Sequence, residues 1–229
     1  RECCRTPHCT RVDRAPGMDA VETALACGVV AANVICGWSF VYALRGRGAP
    51  FVPTAAAKLS RLFGASGLLR EGSPLLKHMG KNHARLKLVD LGSGDGAMVR
   101  AAVRAGGFGR ATGYEINPTL VAVARLRSLG HPGEQHVRGD LWDAPVGDAD
   151  VVTIYGVPPI MDRLGGKLQA ELPGHALVVS NSYPLPALGT PVAVEHVNTS
   201  ALSPDASGQL IVYRLRQGPE VASEDGKPP

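Results

Sequence analysis

The strongest constraint on the fold is a regular alternation of short apolar runs with helix-like stretches between residues 86 and 183. Gly, Pro or Asn marks the turns between these segments. Such alternation is typical of a parallel β-sheet with helices on both faces, an α/β fold. Two further apolar runs follow without a helical pattern between them, which predicts an antiparallel hairpin at one edge of a seven-stranded sheet. We expect strands at 86–92, 110–116, 135–141, 149–156, 175–183, 192–199 and 208–215, and helices at 54–63, 96–106, 117–129 and 158–172.

A glycine-rich turn lies at 89–96 (VDLGSGDG), where the strand at 86–92 passes into a helix. Glycines at such a turn let the backbone approach a ligand closely, and the helix behind offers free N–H groups to its polar atoms. The spacing of Gly92, Gly94 and Ala97 also fits a dinucleotide-binding turn. The turn therefore predicts a ligand site without deciding between ligands.

Acidic residues near this turn narrow the choice. Asp90 and Asp95 lie in the turn segment, and Glu115 and Asp140 are expected to end the next two strands. Parallel strands place their carboxyl ends at one edge, so the four acids should lie close together. Two carboxylates beside the turn disfavour the pyrophosphate of NAD and suit a ligand with a positive ammonium and sulfonium. Glu115 is placed to accept hydrogen bonds from ribose hydroxyls, and Asp140 from an adenine amino group. The alternative is that these acids only cap helices and turns.

A family resemblance follows from these segments in combination. The turn followed by 113–118 (GYEINP) resembles the class I, Rossmann-like methyltransferases, which use S-adenosylmethionine. More narrowly, the chain resembles the small membrane-anchored mitochondrial lysine methyltransferases, whose members modify the ATP synthase c-subunit and the adenine nucleotide translocase. The resemblance covers roughly residues 50 to 215. Other matching segments are 50–53 (PFVP), 140–142 (DLW), 154–161 (IYGVPPIM), 167–168 (KL), 171–173 (ELP) and 183–186 (YPLP).

The resemblance implies a set of site residues. S-adenosylmethionine is expected to contact Asp90, Gly92, Ser93, Gly94, Asp95, Glu115, Ile116, Asn117, Asp140 and Leu141. Tyr155 is the candidate for orienting the acceptor amine, although a Tyr of the core fits the pattern equally well. We name no general base. The chain departs from the family at Thr119, where a Trp is usual, and at Ala187, where an aromatic residue is usual, which puts the target protein in question more than the cofactor.

The chain before the sheet divides into three parts. Residues 1–23 are an unassigned leader, and 24–44 are 21 residues without a charge, long enough for a membrane-spanning helix. A buried helix of the domain is the alternative for 24–44. Residues 45–87 hold nine Lys or Arg and one acid, which suits contact with anionic lipid; a solvated linker is the alternative. The domains expected are therefore an anchor at 24–44, a basic segment at 45–85, a methyltransferase domain at 86–216 and a disordered tail at 217–229.

The resemblance implies an enzyme of the mitochondrial inner membrane, and if 24–44 spans that membrane the positive-inside rule places the catalytic domain on the matrix side. Its partners would be a membrane protein that carries the target lysine, and lipid around the hydrophobic helix. No nucleic-acid partner is expected, because no aromatic-rich platform accompanies the basic stretch. No metal is expected either, since no second ligand pair follows Cys3, Cys4, His8 and Cys9 at zinc spacing.

Three other functions stay open from the sequence. One is a soluble methyltransferase of small molecules, whose apolar helix would serve as a lid or dimer face. Another is a nicotinamide-dependent dehydrogenase, disfavoured by Asp90 and Asp95 and by the lack of a clear Tyr-x-x-x-Lys or His pairing. The third is a non-catalytic module that binds S-adenosylmethionine.

Overall fold

The computed structural model describes residues 51–199 and 208–215. Within these ranges seven β-strands and five α-helices follow one another largely in alternation. The strands are β1 (Lys87–Leu91), β2 (Arg110–Glu115), β3 (Glu134–Arg138), β4 (Val151–Ile154), β5 (Leu177–Asn181), β6 (Ala193–His196) and β7 (Gln209–Arg214). The helices are α1 (Ala56–Phe63), α2 (Pro74–Lys77), α3 (Ala97–Arg104), α4 (Pro118–Arg127) and α5 (Pro158–Glu171), with short 3₁₀ turns at His83–Arg85 and Pro186–Leu188.

All seven strands belong to one sheet in the order β3-β2-β1-β4-β5-β7-β6. Strands β1 to β5 are parallel, whereas β7 runs antiparallel to both β5 and β6. This confirms the expected mostly parallel sheet with antiparallel strands at its C-terminal edge. The chain moves outward in opposite directions from the β1–β4 pair, and ligands of open α/β sheets bind at the carboxyl ends of strands at such a switch point.

Each face of the sheet carries its own apolar core. On one face α1 and α3 cover β1, β4 and β5, with Leu62 and Val99 among the fully buried side chains. On the other face α5 packs through Leu164 and Leu168 against Val152 and its neighbours. Burial of side chains on both faces explains why the central strands read as near-continuous apolar runs in the sequence.

The segment before β1 belongs to the folded domain. Leu62 and Phe63 at the end of α1 are buried, as are Leu69, Leu76 and Met79 further along. All five side chains join the same core as α3. The structured unit therefore begins before residue 86, and residues 51–85 are not a solvated linker.

Several element ends differ from those expected. The strand predicted at 135–141 ends at Arg138, so Asp140 lies two residues beyond the strand, in the turn that follows it. The helix predicted from Thr54 begins at Ala56, with Ala55 as an N-cap that makes no side-chain hydrogen bond. By contrast, Asn117 caps α4 as expected and accepts a hydrogen bond from the Thr119 amide at 3.0 Å.

The predicted hydrophobic helix at 24–44 and the tail at 217–229 lie outside the described residues. So do the leader at 1–23, residues 45–50 of the basic segment, and the end of the domain at 216. Among residues 51–199 and 208–215, no helix has the length and apolarity needed to cross a membrane.

Asp150 ties the segment before β1 to the sheet. Its fully buried carboxylate accepts hydrogen bonds from the Lys87 amide at 2.9 Å, from the His175 Nε2 at 3.1 Å and from the Lys81 ammonium. Three segments distant in sequence therefore meet on one acid at the amino edge of the sheet.

We expect Asp150→Ala to lower the free energy of unfolding by about 1–3 kcal/mol, because it removes the shared acceptor of the Lys87 amide and of the Lys81 and His175 side chains. The matched control is Asp148→Ala: Asp148 pairs with the exposed Lys87 ammonium and should cost under about 1 kcal/mol. Urea unfolding followed by circular dichroism measures both changes. Equal losses in the two variants would show that Asp150 has no special role.

Candidate active site

The glycine-rich turn between β1 and α3 has the geometry of a ligand-binding loop. Gly92, Gly94 and Gly96 all adopt positive φ angles, of 75°, 52° and 79°. The amides of Gly92 and Ser93 donate to the Tyr114 carbonyl on β2 at 2.9 and 3.0 Å, which holds the start of the turn against the sheet. Residues with a side chain rarely adopt such φ angles, so this backbone conformation requires glycine at the three positions.

Phe51 packs directly on this turn. A Cβ built on Gly94 would lie 2.5 Å from the Phe51 ring, which leaves no room for a side chain there. Phe51 belongs to one of the segments that carry the family resemblance, but the sequence did not indicate this contact. The segment that precedes α1 therefore lies over the ligand loop.

Glu115, the last residue of β2, fastens the turn to the sheet edge. Its Oε2 accepts a hydrogen bond from the Gly94 amide and its Oε1 from the Asn117 amide, both at 2.8 Å. Burial raises the pKa of the Glu115 carboxyl, and donation from the amides of Asn117, Gly94 and Ile116 opposes that rise. Each carboxylate oxygen keeps capacity for another donor, as a ribose would need.

Asp90 lies on β1 beneath the turn and is 5% exposed. The Thr153 hydroxyl of β4 donates to its carboxylate at 2.7 Å. Burial raises the pKa of Asp90 to about 7, a rise that the Thr153 hydrogen bond opposes and that the negative charges of Glu115 and Asp95 increase. A buried carboxylate of this kind is stabilised by an incoming cation.

Asp95 is placed differently from the other acids. Its carboxylate forms an ion pair with Arg127 and lies 3.5 Å from an Arg100 nitrogen, and it accepts from the Ala97 amide at 3.2 Å. Its charge is therefore balanced by the arginines of α3 and α4. A contact between Asp95 and the cofactor stays a prediction.

Asp140 follows β3 in a turn beside Glu115. The Gly139 amide donates to the Glu115 carbonyl at 3.0 Å, which keeps the turn next to the end of β2. The Asp140 Oδ1 accepts from the Trp142 amide at 3.1 Å, and the partly buried Leu141 packs against the core beneath α5. The structure thus brings Asp90, Glu115 and Asp140 to one edge of the sheet, as the sequence predicted.

The remaining predicted residues have local roles. Ser93 is buried within the turn, and its hydroxyl has no hydrogen-bond partner among the described residues. Asn117 is buried as the N-cap of α4, and Ile116 is half-buried between Glu115 and that cap.

Tyr155 follows β4 on the same edge and faces a buried lysine. The Lys58 ammonium lies 5.7 Å from the centre of the Tyr155 ring and donates to the Asn181 Oδ1 at 2.5 Å. The sequence pattern did not lead us to Lys58 or Asn181. A signal existed for Lys58, since it precedes the buried Leu62 by four residues and therefore shares its helix face.

The described residues fit S-adenosylmethionine in charge and in the hydrogen-bond acceptors that they offer. The molecule carries an ammonium and a sulfonium group, for which Asp90 offers a buried carboxylate, and a ribose, for which Glu115 offers acceptors. Space is open beside Gly92, where a ligand could approach the backbone closely, whereas the Phe51 ring covers Gly94.

The described part of the chain shows no metal cluster, and a cavity lies at the opposite edge of the sheet. No cluster of three or more His, Cys, Asp or Glu could hold a metal ion there. A cavity opens at the amino edge of the sheet, opposite the glycine turn, and its charged lining is made of paired groups such as Lys81 with Asp150 and Lys87 with Asp148. None of the predicted site residues lines it.

Comparison with known proteins identifies the family. The family model of the ANTKMT methyltransferase domain matches residues 90–192. The rat lysine N-methyltransferase named for the ATP synthase C-subunit is 34% identical over 178 residues, which cover 75% of this chain and 77% of the rat protein. The mouse adenine nucleotide translocase lysine N-methyltransferase is 46% identical over 111 residues, or 47% of this chain and 48% of the mouse protein, so that match spans about half of each.

A solved structure agrees with this assignment. The RNA methyltransferase from Salinibacter ruber, crystallised with S-adenosyl-L-homocysteine, superposes with a TM-score of 0.55 at 26% identity, and the match covers 74% of this chain and 97% of that one. The resemblance seen in the sequence is confirmed, as is the cofactor. The chain belongs to the family of S-adenosylmethionine-dependent protein-lysine N-methyltransferases that includes the enzymes named for the ATP synthase C-subunit and the adenine nucleotide translocase.

Proposed function

We propose that the chain methylates a lysine of a mitochondrial inner-membrane protein, either the ATP synthase c-subunit or an adenine nucleotide translocase. The names of the relatives support these two targets. One observation carries the proposal. The structure brings Asp90, Glu115 and Asp140 together around the glycine turn, next to an aromatic ring and an amide oxygen. The acids suit the cofactor, and Tyr155, which follows β4 at the same edge, is the residue proposed to orient the amine.

Within this proposal the residues of the turn and the strand ends hold the cofactor. Glu115 would accept hydrogen bonds from the ribose hydroxyls, Asp140 would accept from the adenine amino group, and Asp90 would offset the positive charge. The backbone of Gly92, Ser93 and Gly94 would contact the same ligand, and the remaining predicted contacts are Asp95, Ile116, Asn117 and Leu141. S-adenosylmethionine supplies a methyl group on a sulfonium, which an amine lone pair attacks in line.

The chain's own contribution to the reaction is enclosure and alignment. A lysine amine must be neutral to attack, and its usual pKa is near ~10.4. Enclosure among protein groups disfavours the charged form, so a buried acceptor channel helps to produce the neutral amine. Tyr155 is the residue proposed to orient that amine, and alignment of the reacting atoms supplies much of the rate acceleration.

The proposed location follows from the chain before residue 51. Residues 24–44 would anchor the protein in the inner membrane and contact its lipid, with the basic residues that follow and the catalytic domain on the matrix side. This arrangement places the enzyme on the same membrane as both proposed targets.

The target assignment is tested with the full chain in detergent. We expect incubation with S-adenosylmethionine and either the ATP synthase c-subunit or the translocase to add methyl groups to one lysine of one of them, seen by peptide mass spectrometry. Replacement of that target lysine by Arg should abolish the signal. Binding of the cofactor with no methylation of either protein would refute the proposed targets.

Glu115→Ala is expected to weaken S-adenosylmethionine binding roughly tenfold to a hundredfold. The variant loses the hydrogen bonds that the charged carboxylate accepts from the ligand and also those that it accepts from the glycine turn. Isothermal titration calorimetry measures the Kd. The control is Glu171→Ala, since Glu171 pairs with Lys167 at the end of α5 and should leave the Kd unchanged. Unchanged binding in a folded Glu115→Ala variant would remove Glu115 from the cofactor site.

Asp90 should make cofactor binding depend on pH. Its pKa of about 7 in the free protein means that a bound cation must displace a proton at lower pH, so affinity falls as pH drops below about 7, by up to tenfold per unit. The stability of the cofactor-free protein changes with pH in the opposite direction to the cofactor affinity. A raised carboxyl pKa stabilises the folded state at low pH, and that contribution is lost as pH rises through about 7.

Calorimetry in two buffers of different ionisation enthalpy, at a pH slightly below 7, counts the protons released on binding. Release is expected in the wild type and should disappear in Asp90→Asn. The same proton release in both proteins would assign it to another group.

A further inference from the structure

Helix α4 carries apolar residues on the side that faces solvent. The residues that it buries against the sheet are Leu120, Val121 and Ala124. On the opposite side, Ala122 and Leu126 lie four residues apart, and Leu129 follows in the turn after the helix. Leu126 and Leu129 are 69% and 70% exposed, and Ala122 is exposed as well. A surface helix normally presents polar residues to water, so this outer face of Ala122, Leu126 and Leu129 is unusual for a helix that meets solvent alone.

Arginines border the outer face. Arg125 and Arg127 are exposed and lie on either side of Leu126, because successive residues of a helix point about 100° apart. The Arg125 Nε donates to the His136 carbonyl at 2.9 Å, which holds the guanidinium beside the helix. An Arg104 nitrogen donates to the Arg127 carbonyl at 3.0 Å and brings a third arginine to the end of α4. The border of the outer face is therefore positive.

The acids beside these arginines are turned inward. Residues 117–133 contain no Asp or Glu. Asp95, which pairs with Arg127, is partly buried, and Glu134, which pairs with Arg104, is buried. The charges that α4 itself presents to solvent are thus positive.

An apolar face bordered by arginines matches the surface of an anionic lipid bilayer. Leucines enter the boundary between head groups and acyl chains, and arginines contact the lipid phosphates. A symmetric contact between two copies of the chain would bring the same arginines together, and like charges oppose such a contact. Residues 24–44 carry no charge that could match the arginines. Charge complementarity therefore favours anionic lipid over these two other occupants.

The position of α4 in the fold agrees with a membrane contact. Phe51, separated from the proposed anchor by residues 45–50, lies on Gly94 of the glycine turn. Ala124 of α4 packs at the end of the same turn, since a Cβ built on Gly96 would lie 3.1 Å from the Ala124 Cβ. Helix α4 thus lies beside the point at which the chain would arrive from the membrane.

We propose that the outer face of α4 docks on an anionic membrane surface, with Leu126 and Leu129 in the head-group region and Arg125 and Arg127 on lipid phosphates. Helix α4 starts just after Glu115, so this contact keeps the cofactor edge beside the membrane. The contact belongs to the folded domain, and it depends neither on the proposed anchor nor on which protein is methylated.

The test uses the full chain with photoreactive p-benzoylphenylalanine in place of Ala122, in vesicles of equal parts phosphatidylcholine and phosphatidylglycerol. Irradiation should give lipid adducts, measured by mass spectrometry, in several-fold larger amount than in vesicles of phosphatidylcholine alone. The control carries the probe in place of Ala170, an exposed residue of α5 on the other face of the sheet, and should form few lipid adducts in either vesicle.

Variants of the outer face should weaken the contact. With the probe in place of Ala122, Leu126→Gln combined with Leu129→Gln should lower the amount of lipid adduct several-fold, because less apolar surface leaves water. Arg125→Gln should weaken the contact about fivefold, and high salt should reduce the difference between this variant and the wild type.

The matched control replaces two exposed apolar side chains at the other end of the sheet, Val192→Gln with Val194→Gln, and should leave the lipid adduct unchanged. All these side chains are exposed, so each variant should keep the circular dichroism spectrum and melting temperature of the wild type.

Three results would overturn the proposal. One is an equal amount of lipid adduct from the probes at Ala122 and Ala170. The second is an adduct at Ala122 that joins two chains, which would assign the outer face to a second copy. The third is an adduct between Ala122 and residues 24–44 of the same chain, which would show that the chain covers its own helix. Because lipid contact is measured without methyl transfer, failure of the proposed targets would not change these outcomes.

Discussion

The site depends on one carboxylate, that of Glu115, which joins the end of β2 to the glycine turn after β1. Because Glu115 accepts from the Gly94 and Asn117 amides together, it fixes the turn and the start of α4 relative to each other. The Gly139 amide adds the turn after β3 through the Glu115 carbonyl. Three successive strand ends are thus held by one residue, and a ligand that bonds to its remaining lone pairs would bind a surface already in place, which lowers the ordering cost of binding.

The acids of the site differ in the direction of their carboxylates and therefore in the groups that balance their charge. Asp95 turns toward the helices, where Arg127 and Arg100 balance it, whereas Asp90 stays beneath the turn and accepts a hydrogen bond from the Thr153 hydroxyl. Burying Asp90 raises its pKa and so costs free energy whenever the group is ionised. A cationic ligand offsets that cost on binding, which makes the unfavourable burial of Asp90 a source of selectivity for a positively charged cofactor.

The order of elements and the edge that carries the site were predictable because their signals are local. Alternation of apolar runs, Asn117 with Pro118 at a helix start, and acids after strands can all be recognised within a few residues. What the sequence missed depends on contacts between distant segments: Phe51 on Gly94, and Lys58 with Asn181, 123 residues apart. The direction of Asp95 was missed for the same reason, since Arg127 comes to it from α4 and no spacing rule connects the two.

The segment before β1 is more than a connection, because it contacts both halves of the site. Phe51 lies on the cofactor turn, and Lys58, further along the chain on α1, reaches the acceptor side at Asn181. In the proposed membrane arrangement only residues 45–50 separate the anchor from Phe51, and an extended residue spans at most about 3.3–3.6 Å, so these six residues reach roughly 20 Å. A tether that short would keep the catalytic edge close to the membrane surface. It would favour target lysines near that surface over those on distant soluble domains, and membrane-embedded proteins such as the two proposed targets meet this condition.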